Sequence, residues 1–383
     1  MTAYSSQRAR YRLAGATQPH TYPNDWFYLG LCLAYPLLTL VFMQAPLLRN
    51  LQAYFVVGGV LVLAAVVRRD ALVIFGCAFL ATSDVLWRLL EVAFFWEGIK
   101  YVLVLCLGLR VLRIPPRQLT IPAGVLLYAG LMIPAVLWAL ALDPAAAFRS
   151  VSASFSAHLL LIVGAIFFAN LPASERILRP MAIFGTLPTL ALAAIAALSI
   201  LTSEDLRWSN EGNFVASGGY GPNQVSTVLG AGVLLLMVWW VTAAPRGIAR
   251  VLIIGLALWL VVQSVLTFSR GGVLGMALAV AALFGLLSVL DTRRLPAILV
   301  ILGIGGLAFS WALPRLNQFT EQTLDVRYSE PDLAGRETLV ESEIALFLEH
   351  PLGVGVGQGA EARAQAVGAR LGGFSHGVHP HSG

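Results

Sequence analysis

The run Phe268-Ser269-Arg270-Gly271-Gly272 sets one arginine between an apolar stretch and two glycines. Glycines let a large anion come close to the backbone, and the planar guanidinium fork matches phosphate geometry. A charge at a bilayer edge is costly and persists mostly where it pairs or binds something. The other reading of Arg270 is a snorkelling residue that marks a helix end. Arg336 follows Gly335 and precedes a helical stretch that ends in His350-Pro351-Leu352-Gly353. A helix start favours anions through its amides and dipole, although a solvated loop arginine would look the same. His376, His379 and His381 crowd the last residues, SHGVHPHSG. Neutral imidazole can take a proton from a hydroxyl, so a general base is chemically reasonable there. Zinc would compete, but neither a helical HExxH nor paired cysteines accompany these histidines. Exposed terminal histidines also often do nothing.

Weaker signals lie elsewhere. Arg207 precedes Gly219-Tyr220-Gly221-Pro222-Asn223-Gln224 and is either a site residue or loop charge. Pro222-Asn223 reads as a helix start with Gly221 in the turn. Asp84 and Arg88 stand at i,i+4 and can pair with each other, while Arg88 or Lys100 would add positive field. The glycines at 353, 355, 357 and 359 lack the Gly-Lys-Ser/Thr of a phosphate loop and any strand–helix context for a dinucleotide.

What must hold these residues is a membrane domain. The chain is 58% hydrophobic and 12% charged, with a mean hydropathy of +0.79. Soluble domains carry roughly 25% charged residues. Many apolar runs approach the ~20 residues that cross a bilayer as a helix. In lipid the backbone must satisfy itself, so those runs are helices. The alternating segments of a membrane barrel are absent. Eleven runs are read, at about 26–44, 51–67, 71–88, 94–112, 119–142, 151–170, 181–201, 223–243, 248–268, 271–290 and 295–313. The third and fourth nearly abut, as do the ninth and tenth. This predicts an all-α polytopic bundle.

Charge placement gives an independent orientation. With the N-terminus inside, the inside segments hold fourteen of the 25 Lys+Arg, from Arg8 to Arg294. The short outside connections hold Arg49, Arg88, Lys100, Arg149, Arg207 and Arg270. That asymmetry follows the positive-inside rule and explains the net charge of +5 without nucleic acid. Cys32, Cys77 and Cys106 lie in apolar runs with no CxxC, so neither disulfides nor zinc are indicated. Residues 1–25 read as a cytoplasmic tail, 26–313 as the membrane domain and 314–383 as a large loop on the outer face. Residues 202–223 form a second outer loop, and functional residues concentrate on such loops. Within the last segment, Val340, Ile344, Phe347 and Leu348 recur at helical spacing and predict an amphipathic helix over 337–349. The sequence stops at HPHSG without a returning helix, so a twelfth helix is expected beyond Gly383.

Taken in order, GPNQVSTVLG, SRGG, GRETLVESEIALFLEHPLGVGVGQG and HPHS resemble the O-antigen ligase and polysaccharide polymerase superfamily. The resemblance spans about Arg207 to Ser382, and the first six runs match only in being apolar. It implies about twelve membrane helices with a large periplasmic loop between late ones, in a bacterial inner membrane. It implies transfer of a glycan from an undecaprenyl-diphosphate carrier to lipid A core or to a growing polysaccharide, with no cofactor and no metal. By motif, Arg270 would bind the carrier diphosphate and Arg336 would help hold it. A histidine of HPHS would deprotonate the acceptor, His381 before His379 because it precedes Ser382. Arg207 would match the arginine ahead of the Asn-opened helix. Outside the resemblance, Arg88 is read from its charge and position as a further diphosphate-binding residue. The tail before HPHS is poor in acidic residues, so no carboxylate partner is assigned.

Two other classes compete. A transporter or flippase predicts repeats, broken helices and ionisable groups at mid-membrane. His158 is the main such group in the later runs. A non-catalytic subunit of an export complex predicts no dependence on Arg270 or His381.

Overall fold

A computed structural model describes residues 25–94, 97–142, 144–171, 175–204, 206–243, 247–290, 295–329, 336–351 and 353–356, with three single positions besides. Among them the fold is all helical, with no strand. The elements are α1 (Asp25–Met43), α2 (Pro46–Val66), α3 (Asp70–Leu89), α4 (Gly98–Val111), α5 (Ala123–Leu142), α6 (Pro144–Ala169) and α7 (Glu175–Thr202). After a 3-10 turn at Val215–Ser217 come α8 (Pro222–Ala243), α9 (Gly247–Leu266), α10 (Arg270–Leu290), α11 (Leu295–Phe319), α12 (Thr323–Ser329) and α13 (Arg336–Glu349).

Each of the eleven apolar runs falls on one of the helices α1 to α11. Among the described residues, eight helices, α1, α2, α3, α5, α7, α8, α9 and α10, are long and apolar enough to cross a bilayer. The 14 residues of α4 reach only about 21 Å at 1.5 Å per residue, short of a ~30 Å hydrocarbon core. In α6 the stretch Ser154–Ala169 is apolar. α11 runs beyond the expected end at 313 to Phe319, with Pro314 inside it.

The chain divides into two compact units, residues 1–93 with 171–328, and 94–170 with 329–383. In the first unit α7 is the central post, packed against α3, α8 and α1, while α8 also meets α9 and α10. Without a hydrophobic force between helices in lipid, close approach rests on small residues. A β-carbon on Gly232 would meet Thr189 at 2.4 Å, and one on Gly185 would meet Leu235 at 2.8 Å. Thr82 of α3 donates to the Gly185 carbonyl of α7 at 2.8 Å, an interhelical bond between α3 and α7.

Ion pairs and loops show which helix ends lie together in this unit. Arg179 bonds Asp25 at 2.6 Å, which joins the starts of α1 and α7. At the other end, the segment after α7 bonds the turn after α9 through Asn213 and Thr267, 2.9 Å apart. The first residues of α8 and α10 meet there too, as described below.

In the second unit, α4 and α5 each pack on α6. Asn170 exchanges two bonds with the backbone of Thr120, at 2.8 and 2.7 Å. Ser156 donates to Glu97 at 2.7 Å, and Lys100 pairs with the same carboxylate at 2.5 Å. The turn after α13 is fixed to α5 by the Val356 amide, which donates to the Ala135 carbonyl at 3.3 Å. The expected apolar stripe of α13 is open: Val340, Ile344, Phe347 and Leu348 are all exposed, whereas Leu346 is buried.

Candidate active site

The candidate site begins where α9 ends. Phe268 follows α9 in the left-handed region, with φ 59°. That conformation costs an L-residue about 1–2 kcal/mol. Glycine would avoid the cost, so the ring must compensate. It is wholly buried with Val265 and Leu324 and stacks on Trp208 with centroids 5.3 Å apart. Burying a large apolar side chain is worth about 1.5–3 kcal/mol, enough to offset the strain. Trp208 in turn meets Phe319 edge-on at 5.6 Å, so the end of α11 closes the cluster.

The reversed backbone at Phe268 turns the chain straight into α10. The Ser269 hydroxyl accepts from the Gly272 amide at 3.3 Å, the bond of an N-cap. The same hydroxyl donates to Asn223 Oδ1 at 2.7 Å, tying the start of α10 to the start of α8. Arg270 is therefore the first helical residue on a turn fixed from both sides. Gly272 allows the approach, since a β-carbon there would stand 2.1 Å from Ser226 Oγ. Ser226 and Ser264 share a hydroxyl bond of 2.7 Å beneath it.

The loop after α7 is knitted to this turn by Asn213. Its amide donates to the Thr267 carbonyl at 2.9 Å. Its side-chain NH2 donates to the Arg207 carbonyl at 3.0 Å, and its Oδ1 accepts from the Ala216 amide at 2.9 Å. On the far side, Arg327 of α12 donates through Nε to the Phe268 carbonyl at 3.2 Å and through Nη1 to the Asn210 carbonyl at 2.7 Å. Tyr328 lies in the field of both Arg327 and Arg270; burial pushes its phenol up to about 12, against those two lowering charges. It stays neutral at working pH and does not cancel them.

Arg270 is half-buried and Arg207 is exposed, one on the turn and the other on the loop tied to it. Arg88 makes a two-point ion pair with Asp84, at 3.2 Å from Nε and 3.1 Å from Nη2, and Tyr220 lies beside it. The i,i+4 pairing expected from sequence is thus formed, and Arg88 is neutralised where it stands. Arg336 is the first residue of α13, in the second unit. His376, His379 and His381 lie outside the described residues. Among the described residues, no three of His, Cys, Asp and Glu gather into a set that could hold a metal ion.

Arg327, Trp208 and Asn213 went unnoticed in the sequence. Each is a single residue whose partners are backbone groups or a ring, which no side-chain pattern announces. Only the aromatic at 268, ahead of a capping serine, hinted that the turn was built around a buried ring.

Residues 256–383 match a family model described as O-antigen ligase. The matched segment belongs to the O-antigen ligase family. This O-antigen ligase segment takes in Arg270, Arg327, Arg336 and the terminal histidines, whereas Arg88 and Arg207 lie outside it. No curated protein and no solved structure is detectably similar to the chain. The apolar helices support a multi-pass membrane protein, and its residues 256–383 are similar to O-antigen ligases.

Proposed function

We propose that the protein transfers or polymerises a glycan carried on undecaprenyl diphosphate, at the periplasmic face of a bacterial inner membrane and without a metal. The observation that carries this reading is Arg270, held as the first residue of α10 inside the family-matched segment. A diphosphate leaving group gains negative charge as its bond to the sugar breaks. A cation pre-set at the membrane edge meets that charge without rearranging. The N-terminal amides of α10 add the positive end of a helix dipole.

In the proposed reaction the acceptor hydroxyl attacks the anomeric carbon. A glycosidic C–O bond forms, the C–O bond to the carrier diphosphate breaks, and undecaprenyl diphosphate leaves with the electron pair. A histidine of the terminal motif, His381 before His379, takes the hydroxyl proton. Arg336 supports the anion. Arg207, on the loop bonded to the Arg270 turn, adds positive field. The assignments of Arg336 and the histidine rest on the motifs alone. The two-point pair with Asp84 favours a structural role for Arg88 over a diphosphate contact.

The test uses the full chain in proteoliposomes with an undecaprenyl-diphosphate-linked oligosaccharide and EDTA, with and without a lipid A core acceptor. Diphosphate-carrier release is expected in EDTA. Arg270→Ala should lose about 10²–10³ in rate, the scale for removing one preorganised charge donor. His381→Ala should lose about 10²–10⁴, the scale of general base catalysis. Longer glycan without the core acceptor means polymerase, and release only with it means ligase. Wild-type rates in both variants would sink the site, and no release with either acceptor would sink the reaction.

A further inference from the structure

Arg327 is placed where a substrate residue would be looked for, beside the Arg270 turn, and two of its guanidinium nitrogens donate to the protein's own backbone. Nε and Nη1 reach the carbonyls of Phe268 and Asn210, which belong to two different segments. Phe268 O lies just past the C-terminal end of α9, where carbonyls lack helical partners and a cation is favoured. Asn210 O belongs to the loop that carries Arg207. The neighbouring residue repeats the arrangement, since Tyr328 donates to the Val265 carbonyl at 3.4 Å. Leu324, 1% exposed, anchors the same short helix in the Phe268 cluster. α12 therefore closes over the end of α9 as a clasp, with Arg327 as its pin.

We infer that Arg327 is a positioning residue, which holds the Phe268–Ser269 turn and the Asn210 loop together so that Arg270 meets an anionic leaving group in one fixed orientation. This rests on the proposed function for its catalytic part. Its structural part stands on the two carbonyl bonds alone. Loss of Arg327 leaves Phe268 in its strained conformation with one support fewer. The turn then samples ordinary backbone conformations in which Ser269 no longer caps α10, and Arg270 loses its direction although it is still present. A guanidinium is needed for the double reach, because lysine's point charge can satisfy only one of the two carbonyls well.

The experiment is a double-mutant cycle of Arg327→Gln and Arg270→Ala on the full chain in proteoliposomes, with hydrogen exchange measured on the same variants. Arg327→Gln alone should lower kcat/KM by about 10–100-fold, chiefly through kcat. In the Arg270→Ala background it should cost less than about 3-fold, because residues that act through one another do not add. Arg327→Lys should recover part of the loss. Exchange should quicken at the Asn213 and Gly272 amides, which bond Thr267 O and Ser269 Oγ. Additive costs would overturn the positioning role and point to direct contact with substrate or to general destabilisation. Unchanged exchange at both amides would overturn it as well. Should the wild-type protein release no carrier diphosphate, the reaction reading fails while the exchange result still decides what Arg327 holds.

Discussion

Gly272 and Ser226 stand so close that a β-carbon on the glycine would come within 2.1 Å of the serine hydroxyl and 2.4 Å of its Cβ. The contact lies one turn into α10, under Arg270, and sets how near α8 and α10 approach at the site. Gly272→Ala must push the two helices apart or twist Ser226 from its bond to Ser264. Overpacking of this kind costs about 1–3 kcal/mol. Thermal unfolding in a fixed detergent should show the loss, and activity should fall with it. Gly272→Ala combined with Ser226→Gly should regain most of the stability. A single variant as stable as wild type would mean that the helices are not in contact there.

Arg88 and Asp84 give a test that separates structure from substrate binding. Their side chains are 14% and 19% exposed, so removing one strands the other in a partly buried place. Breaking such a pair costs more than replacing it whole with apolar groups. Arg88→Leu is expected to destabilise by about 1–3 kcal/mol, and Asp84→Leu with Arg88→Leu by less. If the pair is structural, the double variant keeps most of its transferase activity. Loss of activity in a stable double variant would return Arg88 to the diphosphate.

Gly353 and Gly355 explain themselves through backbone angles, with φ of 85° and 103°. Other L-residues pay for such angles. Space is not the constraint at Gly353, since its nearest neighbour would be Ala135 Cβ at an ordinary 3.8 Å. Gly353→Ala should therefore cost about 1–2 kcal/mol locally. The checking measurement is hydrogen exchange over 353–356, where the Val356 amide bonded to Ala135 should open faster. Unaltered exchange would show that the turn tolerates a side chain.

The helices could be read in the sequence because lipid leaves a run of apolar residues few other options. Pro222 and the pair Asp84–Arg88 were legible for local reasons, since helix starts and i,i+4 pairs involve neighbours. The α13 stripe shows the limit. Val340, Ile344, Phe347 and Leu348 share a helical face as expected, but apolar spacing alone does not say what covers that face. The role of Arg327 was illegible because both of its acceptors are backbone carbonyls, 59 and 117 residues away along the chain. Backbone acceptors exist at every residue, so no pattern of side chains announces them. The strain at Phe268 is invisible for the same reason, since its energetic balance depends on a ring 60 positions earlier in Trp208.

The helices differ in how much of them the protein itself surrounds. In its most apolar window α7 is 72% buried, whereas the corresponding window of α5 is 6% buried. A helix bathed in oil is asked only to dissolve, and leucine, isoleucine, valine and phenylalanine answer equally well. A helix walled in by its neighbours is asked to fit, and there volume counts before oiliness. Drift among large aliphatics should pass unnoticed along α5. Along α7, where Ala182, Ala191, Ala193 and Ala196 are wholly enclosed, a single added methylene has nowhere to go.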